Sequence, residues 1–171
     1  MKIIRLMLAM LVVASFAATA PAQVIIHHGR KNVPAVPPNP QSLVALQSDL
    51  IKAIESMKTA LPIYDGNRVR SIHAAHAALV IVDREINGPT GATRPVPTVK
   101  DGEKRSKYTP SEVTGSQTNM RNALASLQQG TVDLSGATGS NPNQKGAKVR
   151  AHLHTAISEA TSAIQLHAAQ G

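Results

Sequence analysis

The sequence has no cysteine and no tryptophan, and it has one phenylalanine and two tyrosines. Without cysteine the chain cannot form disulfides, hold a metal through thiolates or attach a c-type haem covalently. Because aromatic residues are so few, the core has to be built from Ala, Leu, Ile, Val and Met. Such a core is typical of closely packed helices.

The sequence also lacks the short motifs of common catalytic sites. It contains no G-x-S-x-G, no H-E-x-x-H and no G-x-x-x-x-G-K-[ST] pattern. Asp83 and Glu85 are two positions apart, so a helix would direct them to different sides and they could not act as paired carboxylates. The sequence therefore predicts a protein that is not an enzyme and has no cofactor.

The segment 1–22 has the layout of a secretory signal peptide. Lys2 and Arg5 precede an apolar run from Leu6 to Ala18, and Ala20-Pro21-Ala22 supplies a small-residue cleavage site. The run is shorter than the roughly 20 residues of a membrane-spanning helix. We expect cleavage before Gln23 and a secreted or periplasmic protein without a membrane span. An uncleaved interfacial anchor is the alternative.

The chain is basic, with a formal net charge of +8, and loss of Lys2 and Arg5 with the signal peptide leaves +6. A positive charge attracts the protein to anionic surfaces. The expected partners are therefore anionic cell-envelope polymers or another envelope protein. Nucleic acid is not expected, because aromatic stacking platforms and recognised nucleic-acid-binding motifs are lacking.

Apolar residues recur every three or four positions in four segments, which predicts four amphipathic helices. Asn39 followed by Pro40 is a start signal for the first helix, and Asp65 or Asn67 could cap the second. Thr109-Pro110-Ser111-Glu112 matches a capping box for the third. The core-facing stripes of the four helices are predicted to be Leu43, Leu46, Leu50, Ile54, Met57 and Leu61; Val69, Ile72, His76, Leu79, Val82 and Ile86; Val113, Met120, Leu124, Leu127 and Leu134; and Val149, Leu153, Ala156, Ile157, Ala160 and Ile164.

Proline and glycine separate these helices into two predicted hairpins, 41–87 and 109–169. Residues 23–40 contain four prolines and predict a flexible leader. Residues 88–108 predict a long flexible linker, and residues 136–146 predict a loop between the last two helices. Short turns join antiparallel neighbours, so the expected fold is an all-α antiparallel four-helix bundle in one domain.

The two hairpins align when the chain is shifted by 78 residues. Ala45-Leu46 then falls on Ala123-Leu124, and His76-Ala77-Ala78-Leu79 falls on His154-Thr155-Ala156-Ile157. This alignment predicts an internal repeat in which His76 and His154 are equivalent.

The first hairpin carries a family resemblance. Its turn, Leu61-Pro-Ile-Tyr-Asp-Gly-Asn-Arg-Val-Arg-Ser71, with the helix that runs to Ile86, resembles uncharacterised exported bacterial proteins with a helical hairpin. In those proteins a Tyr/Asp-x-Gly-His-Arg turn joins two amphipathic helices. Asn67 stands where that pattern has His, and Gln144–Arg150 of the second copy keeps only a glycine and basic residues. The resemblance implies a helical hairpin and brings no activity with it.

Basic residues cluster in the sequence near the two hairpin turns. If both turns lie at one end of the bundle, that end is basic and could bind an anionic ligand. The candidate ligand-binding residues are Arg68, Arg70, Lys148 and Arg150, and Arg84 and Lys145 are also near the turns.

A metal or haem site is the alternative hypothesis. His73 and His76 are three positions apart and would share one face of the second helix, and His154 would be equivalent to His76. Bundle metal sites usually add a carboxylate in a Glu-x-x-His arrangement, and no Glu precedes these histidines at that spacing. Solvated or hydrogen-bonded histidines explain the same pattern.

Overall fold

Four α-helices form the structure, a computed structural model that describes residues 39–89, 94–138 and 144–168. For residues 167 and 168 it describes the backbone only. The helices are α1 (Pro40–Thr59), α2 (Asn67–Asn87), α3 (Pro110–Thr138) and α4 (Gln144–Ala168), with a 3-10 turn at Arg105–Lys107. None of the described helices is long and apolar enough to cross a membrane. The predicted signal peptide, and the predicted leader before Asn39, lie outside the described residues.

The helices pack as an antiparallel bundle, as the sequence predicts. α1 packs against α2 and α3, and α4 packs against the same two helices. Gln47 near the start of α1 donates to Asp83 near the end of α2, and Lys145 at the start of α4 pairs with Glu85 near the end of α2. Both pairs of neighbours therefore run in opposite directions.

The two hairpin turns lie at opposite ends of this bundle. Ser116 near the start of α3 accepts a hydrogen bond from the backbone of Leu61, just after α1, whereas Gly136 near the end of α3 faces Ser42 near the start of α1. We call the end at which α1 begins and α2 ends the proximal end, and the end with the turn 60–66 the distal end. α3 ends and α4 begins at the proximal end.

The core is aliphatic, with Tyr64 as a buried aromatic residue. Leu46, Leu50, Met57 and Ile72 are almost fully buried in one continuous cluster with residues of all four helices. At about 25 cal/mol for each square ångström of apolar surface removed from water, these side chains supply most of the favourable free energy of folding. Of the predicted stripe positions, seven are only partly buried and the others are buried; the seven are Leu43, Leu61, Val69, Ile86, Leu124, Ile157 and Ile164.

Burial repeats between α1 and α3 with an offset of 77 residues. Leu50 and Leu127, and Met57 and Leu134, are buried pairs at this offset, whereas between α2 and α4 the predicted offset of 78 also pairs buried residues, such as Ala75 with Leu153. At the predicted offset of 78, the equivalent of Leu50 is the exposed Gln128. One residue is a rotation of about 100° around a helix, so the predicted alignment does not fit the burial of α1 and α3.

Two of the predicted start signals of the helices are confirmed. The side chain of Asn39 accepts a hydrogen bond from the backbone of Gln41 at 3.0 Å. Thr109 and Glu112 form the reciprocal hydrogen bonds of a capping box, at 2.7 Å and 3.3 Å. The prediction for α2 is wrong: its N-cap is Gly66, which has a φ of 82° and gives no side-chain cap.

The predicted bounds of the loop at 136–146 are wrong at both ends. α3 continues through Gly136 to Thr138, and α4 begins at Gln144. A Cβ atom on Gly136 would lie 3.0 Å from the Ser42 hydroxyl oxygen, and one on Gly130 would lie 3.1 Å from Leu46 Cδ1. Gly136, at which the loop was predicted to begin, therefore lies inside α3, and both glycines allow α1 to approach closely.

The predicted flexible linker is held against the first hairpin over residues 94–109, which we call the connecting segment. It runs in extended form from the proximal to the distal end, beside α1 and α2. At the proximal end Arg94 pairs with Asp83 at 2.5 Å. At the distal end the backbone of Glu103 donates to the carbonyl of Pro62 at 2.6 Å. Both contacts give this segment a defined path.

Candidate functional site

Four polar side chains form a buried group at the distal end, the distal polar cluster of Tyr64, Arg68, Asp101 and Ser116. The Asp101 carboxylate accepts hydrogen bonds from the backbone N–H groups of Tyr64 and Gly66 at 3.0 and 3.2 Å. The hydroxyl groups of Tyr64 and Ser116 are 2.8 Å apart. Asp101, from the connecting segment, thus supplies the acceptor that the N-terminus of α2 lacks locally.

Arg68 is a structural member of this cluster. Its side chain is 3% exposed and donates to the carbonyl oxygens of Met57, Ala60 and Lys100. Burial lowers the pKa of Arg68, and the Asp101 carboxylate, 4.0 Å from Nε, opposes that effect. Within the described residues Nε itself has no hydrogen-bond partner. A side chain so enclosed cannot contact a ligand at the surface, so Arg68 is unsuited to its predicted binding role.

Arg70 is exposed, but its guanidinium is already paired. It donates to Glu159 of α4 at 2.9 Å and to the side chain of Asn67. This ion pair lies across the α2–α4 contact, where it is partly solvated and contributes little to stability.

The predicted basic end does not exist as a single surface, because the two turns are at opposite ends. Arg68 and Arg70 are distal, whereas Lys148 and Arg150 are in the first two turns of α4, which are proximal. Glu85, which pairs with Lys145, follows Arg68 by 17 positions in α2, or about 25 Å along the helix. Arg150 is also turned about 200° from Lys148 around α4.

A smaller basic group does form at the proximal end, from Arg84 of α2 and Lys145 and Lys148 of α4. We call these three residues the basic cluster. With Ile81 and Glu85 they line a surface depression of about 190 Å³. Lys145 forms an ion pair with Glu85. Arg84 and Lys148 are exposed and make no ion pair with any described residue, and all ten acidic residues of the chain lie in the described ranges.

The position of Lys145 and Lys148 is unfavourable for α4 itself. The N-terminus of a helix carries a partial positive charge, so acidic residues stabilise the first turn and basic residues destabilise it by a few tenths of a kcal/mol. The first turn of α4 has no acidic residue. Helix stability therefore does not explain these lysines.

Behind the depression lies an apolar cavity of about 160 Å³ at the proximal end of the core. All four helices line it, through Leu43, Ile81, Val82, Leu134, Ala137, Val149 and their neighbours. Ile81, Glu85 and Lys145 line both the cavity and the depression. The ion pair between Glu85 and Lys145 therefore lies at the boundary between the core and the basic cluster.

The histidines of the alternative hypothesis are not brought together. His76 is 7% exposed, and its Nε2 is 3.2 Å from the carbonyl oxygen of Arg94. His73 and His154 are exposed on α2 and α4. Among the described residues, no three His, Asp or Glu side chains are placed to hold a metal ion. His76 is buried whereas His154 is exposed, so the two histidines that the repeat would make equivalent lie in different surroundings.

His76 instead forms part of an open groove between the connecting segment and the first hairpin. The groove has a volume of about 550 Å³ and is lined by Ile51, Ile54, Leu79 and the stretch Arg94–Thr98. The hydrogen bond with the Arg94 carbonyl helps to fix the connecting segment. This histidine is therefore explained by packing and hydrogen bonding.

No protein-family model, curated protein or solved structure matches this chain.

All three residues of the basic cluster are near the predicted turns in the sequence. The sequence predicted them to share one end with Arg68 and Arg70, which lie at the distal end instead. Glu85 and the apolar cavity were not predicted as parts of a site. The signal available for Glu85 was the spacing of Ile81, Arg84 and Glu85, which places all three on adjoining positions of one helix face. The cavity depends on four helices at once and leaves no local signal.

Proposed function

We propose that this chain is an exported, non-enzymatic helical binding module that binds anionic groups of the cell envelope through the basic cluster. The observation that carries the proposal is the convergence of Arg84, Lys145 and Lys148 from two helices around one depression. One carboxylate, Glu85, faces these three cations, so the local charge is positive and attracts anions.

Export is supported by the N-terminal layout of Lys2 and Arg5, the apolar run and Ala20-Pro21-Ala22. An exported protein with a positive surface meets phosphate and carboxylate groups of envelope polymers. Expression in a bacterial host followed by mass spectrometry of the exported protein tests this step. We expect a mature N-terminus at Gln23, and a full-length protein retained in the cell would contradict export.

The binding proposal is tested with two matched triple variants. R84Q/K145Q/K148Q removes the basic cluster, and K100Q/K104Q/K107Q removes three exposed lysines from the connecting segment, so both lower the net charge by the same amount. Polyphosphate and alginate serve as soluble phosphate and carboxylate polymers. We expect the first variant to lose at least about tenfold in affinity at low salt and the second to lose less than about threefold, on the basis of about 0.5 kcal/mol for each exposed charge contact.

Salt provides a second criterion, since binding by exposed charges weakens as ionic strength rises. Equal losses in both triple variants would mean that binding follows net charge and that the basic cluster is not a site. Arg68 is left unchanged in this design, because it supports the distal turn and its loss would unfold the hairpin.

A further inference from the structure

The apolar cavity and the basic cluster share a wall. Ile81, Glu85 and Lys145 line both spaces, and the cavity continues inward to Leu43, Ala137 and Val149. A molecule with an anionic group at the basic cluster would therefore have an apolar space directly behind that group. We infer that the ligand of this site is an anionic amphiphile, a carboxylate whose short apolar chain enters the cavity. This inference rests on the proposed function and specifies its ligand.

The size of the cavity sets the size of the apolar group. Its volume of about 160 Å³ is close to the roughly 150 Å³ of an apolar protein cavity that stays dry and binds benzene. An apolar group of about six carbons therefore fits. Longer chains would have to leave their ends in water or displace core side chains, which close packing resists.

The side chains that line the cavity suit an apolar group of this size. Leu43, Val82, Leu134, Ala137 and Val149 contribute aliphatic surface, and Val82, Leu134, Ala137 and Val149 are each less than 5% exposed. A cavity of this kind offers few partners for water, since a buried water usually makes about three hydrogen bonds. An apolar chain would gain dispersion contacts that the empty space lacks.

The basic cluster, at the entrance of the cavity, supplies positive charge for the anionic group. Lys145 is 65% exposed and pairs with Glu85, which is 28% exposed. A ligand carboxylate can take the place of Glu85 beside Lys145 and gain Arg84 and Lys148 as further cations. Glu85 is then a competitor of the ligand, so its removal should strengthen binding.

The test uses a series of straight-chain carboxylates, acetate, butanoate, hexanoate and octanoate, with hexanol and hexylammonium as uncharged and oppositely charged probes. Dissociation constants are measured by titration calorimetry of the exported protein. We expect each added methylene to strengthen binding about threefold to fourfold, the value for a buried methylene, with the gain ending near six carbons. Hexanol should bind more weakly than hexanoate, and hexylammonium should not bind.

Two variants alter the cavity in opposite directions. A137L fills it and should remove the chain-length dependence. V149A enlarges it and should move the best chain from hexanoate to octanoate, so the inference stays testable even if A137L does not fold. A125L, at an exposed alanine on the same helix as Ala137, is the matched control and should behave like the wild type. E85Q should bind hexanoate more tightly.

The outcomes separate the inference from the proposed function. Equal affinity for acetate and hexanoate, with loss of both in R84Q/K145Q/K148Q, would overturn the inference and leave anion binding in place. Hexanoate binding that survives the triple variant would overturn the proposed function at this site. Chain-length dependence that is unaffected by both A137L and V149A would show that the apolar group lies elsewhere, which also overturns the inference.

Discussion

Gly130 of α3 faces Leu46 of α1 so closely that a methyl group on Gly130 would lie 3.1 Å from Leu46 Cδ1. Leu46 is fully buried, so its side chain has little room to move away. The small size of Gly130 therefore sets the distance between these two helices.

Alanine substitutions at two glycines of α3 should have opposite effects. A methyl group on Gly115 would meet no other atom within 4 Å, so G115A should raise the free energy of unfolding by about 0.5 to 1 kcal/mol through helix propensity. G130A gains the same propensity but crowds Leu46, and overpacking costs about 1 to 3 kcal/mol. Urea denaturation should therefore rank G115A above G130A. Equal stabilisation of both would mean that α1 can shift without cost.

Loss of the Asp101 carboxylate should destabilise the distal end. D101A removes the acceptor for the Tyr64 and Gly66 backbone groups and leaves Arg68 without its nearby negative charge. We expect a loss of about 3 kcal/mol in the free energy of unfolding, because a buried charge and buried donors are left unpaired. E55A removes an exposed carboxylate from α1 and should change stability by less than about 0.5 kcal/mol.

The two attachments of the connecting segment can be separated by amide hydrogen exchange. The Glu103 N–H donates to the Pro62 carbonyl at the distal end, so D101A should increase its exchange rate. D83N weakens the Arg94 contact at the proximal end and should leave the Glu103 N–H protected. Equal effects of both variants would show that the segment opens as one unit.

Ser116 joins α3 to the turn after α1. Its replacement by alanine should destabilise the protein, although the side chain loses one oxygen atom only. Its hydroxyl oxygen accepts from the Leu61 N–H at 2.8 Å and is 2.8 Å from the Tyr64 hydroxyl. S116A leaves both groups without this partner and should lower the free energy of unfolding by about 2 kcal/mol. S111A, at an exposed position of the same helix, is the control. A neutral S116A would mean that water replaces the serine hydroxyl.

The sequence was sufficient to predict the helices, because periodic apolar residues and the signals at Asn39 and Thr109 act within a few positions. It was not sufficient to predict which turns share an end. Arg68 and Lys148 each lie near a turn, but their separation depends on how one hairpin packs against the other. The Asp101 contact with Tyr64 spans 37 positions, and no local pattern encodes it.

The candidate site, too, can be predicted from the sequence only in part. The charges of Lys145 and Lys148 are evident in the sequence, whereas their grouping with Arg84 depends on the α2–α4 contact. The register of the repeat also depends on packing. His76 and His154 are equivalent in the predicted alignment, but His76 is buried and His154 is exposed, and a shift of one residue is enough to turn a side chain out of the core.

Two carboxylates face each other across the α1–α3 contact and make stability depend on pH. Burial, with a hydrogen bond to Asp133, raises the pKa of Asp49, while Lys52 at 3.4 Å opposes the shift. An acid whose pKa is raised on folding binds its proton more tightly in the native state. Its contribution is therefore favourable below its ordinary value and is lost as pH rises through the raised pKa.

The variant D49N removes this titration and keeps the size of the side chain. At about pH 7 it should unfold with a free energy higher than the wild type by on the order of 0.5 kcal/mol, since the partly buried charge of Asp49 and its repulsion from Asp133 are gone. As the pH falls through the raised pKa of Asp49, the wild type takes up a proton and the difference should shrink toward zero. E55Q, which alters an exposed pair with Lys58, should show no such convergence. If D49N is instead less stable at neutral pH, the attraction between Asp49 and Lys52 outweighs the repulsion across the helix contact.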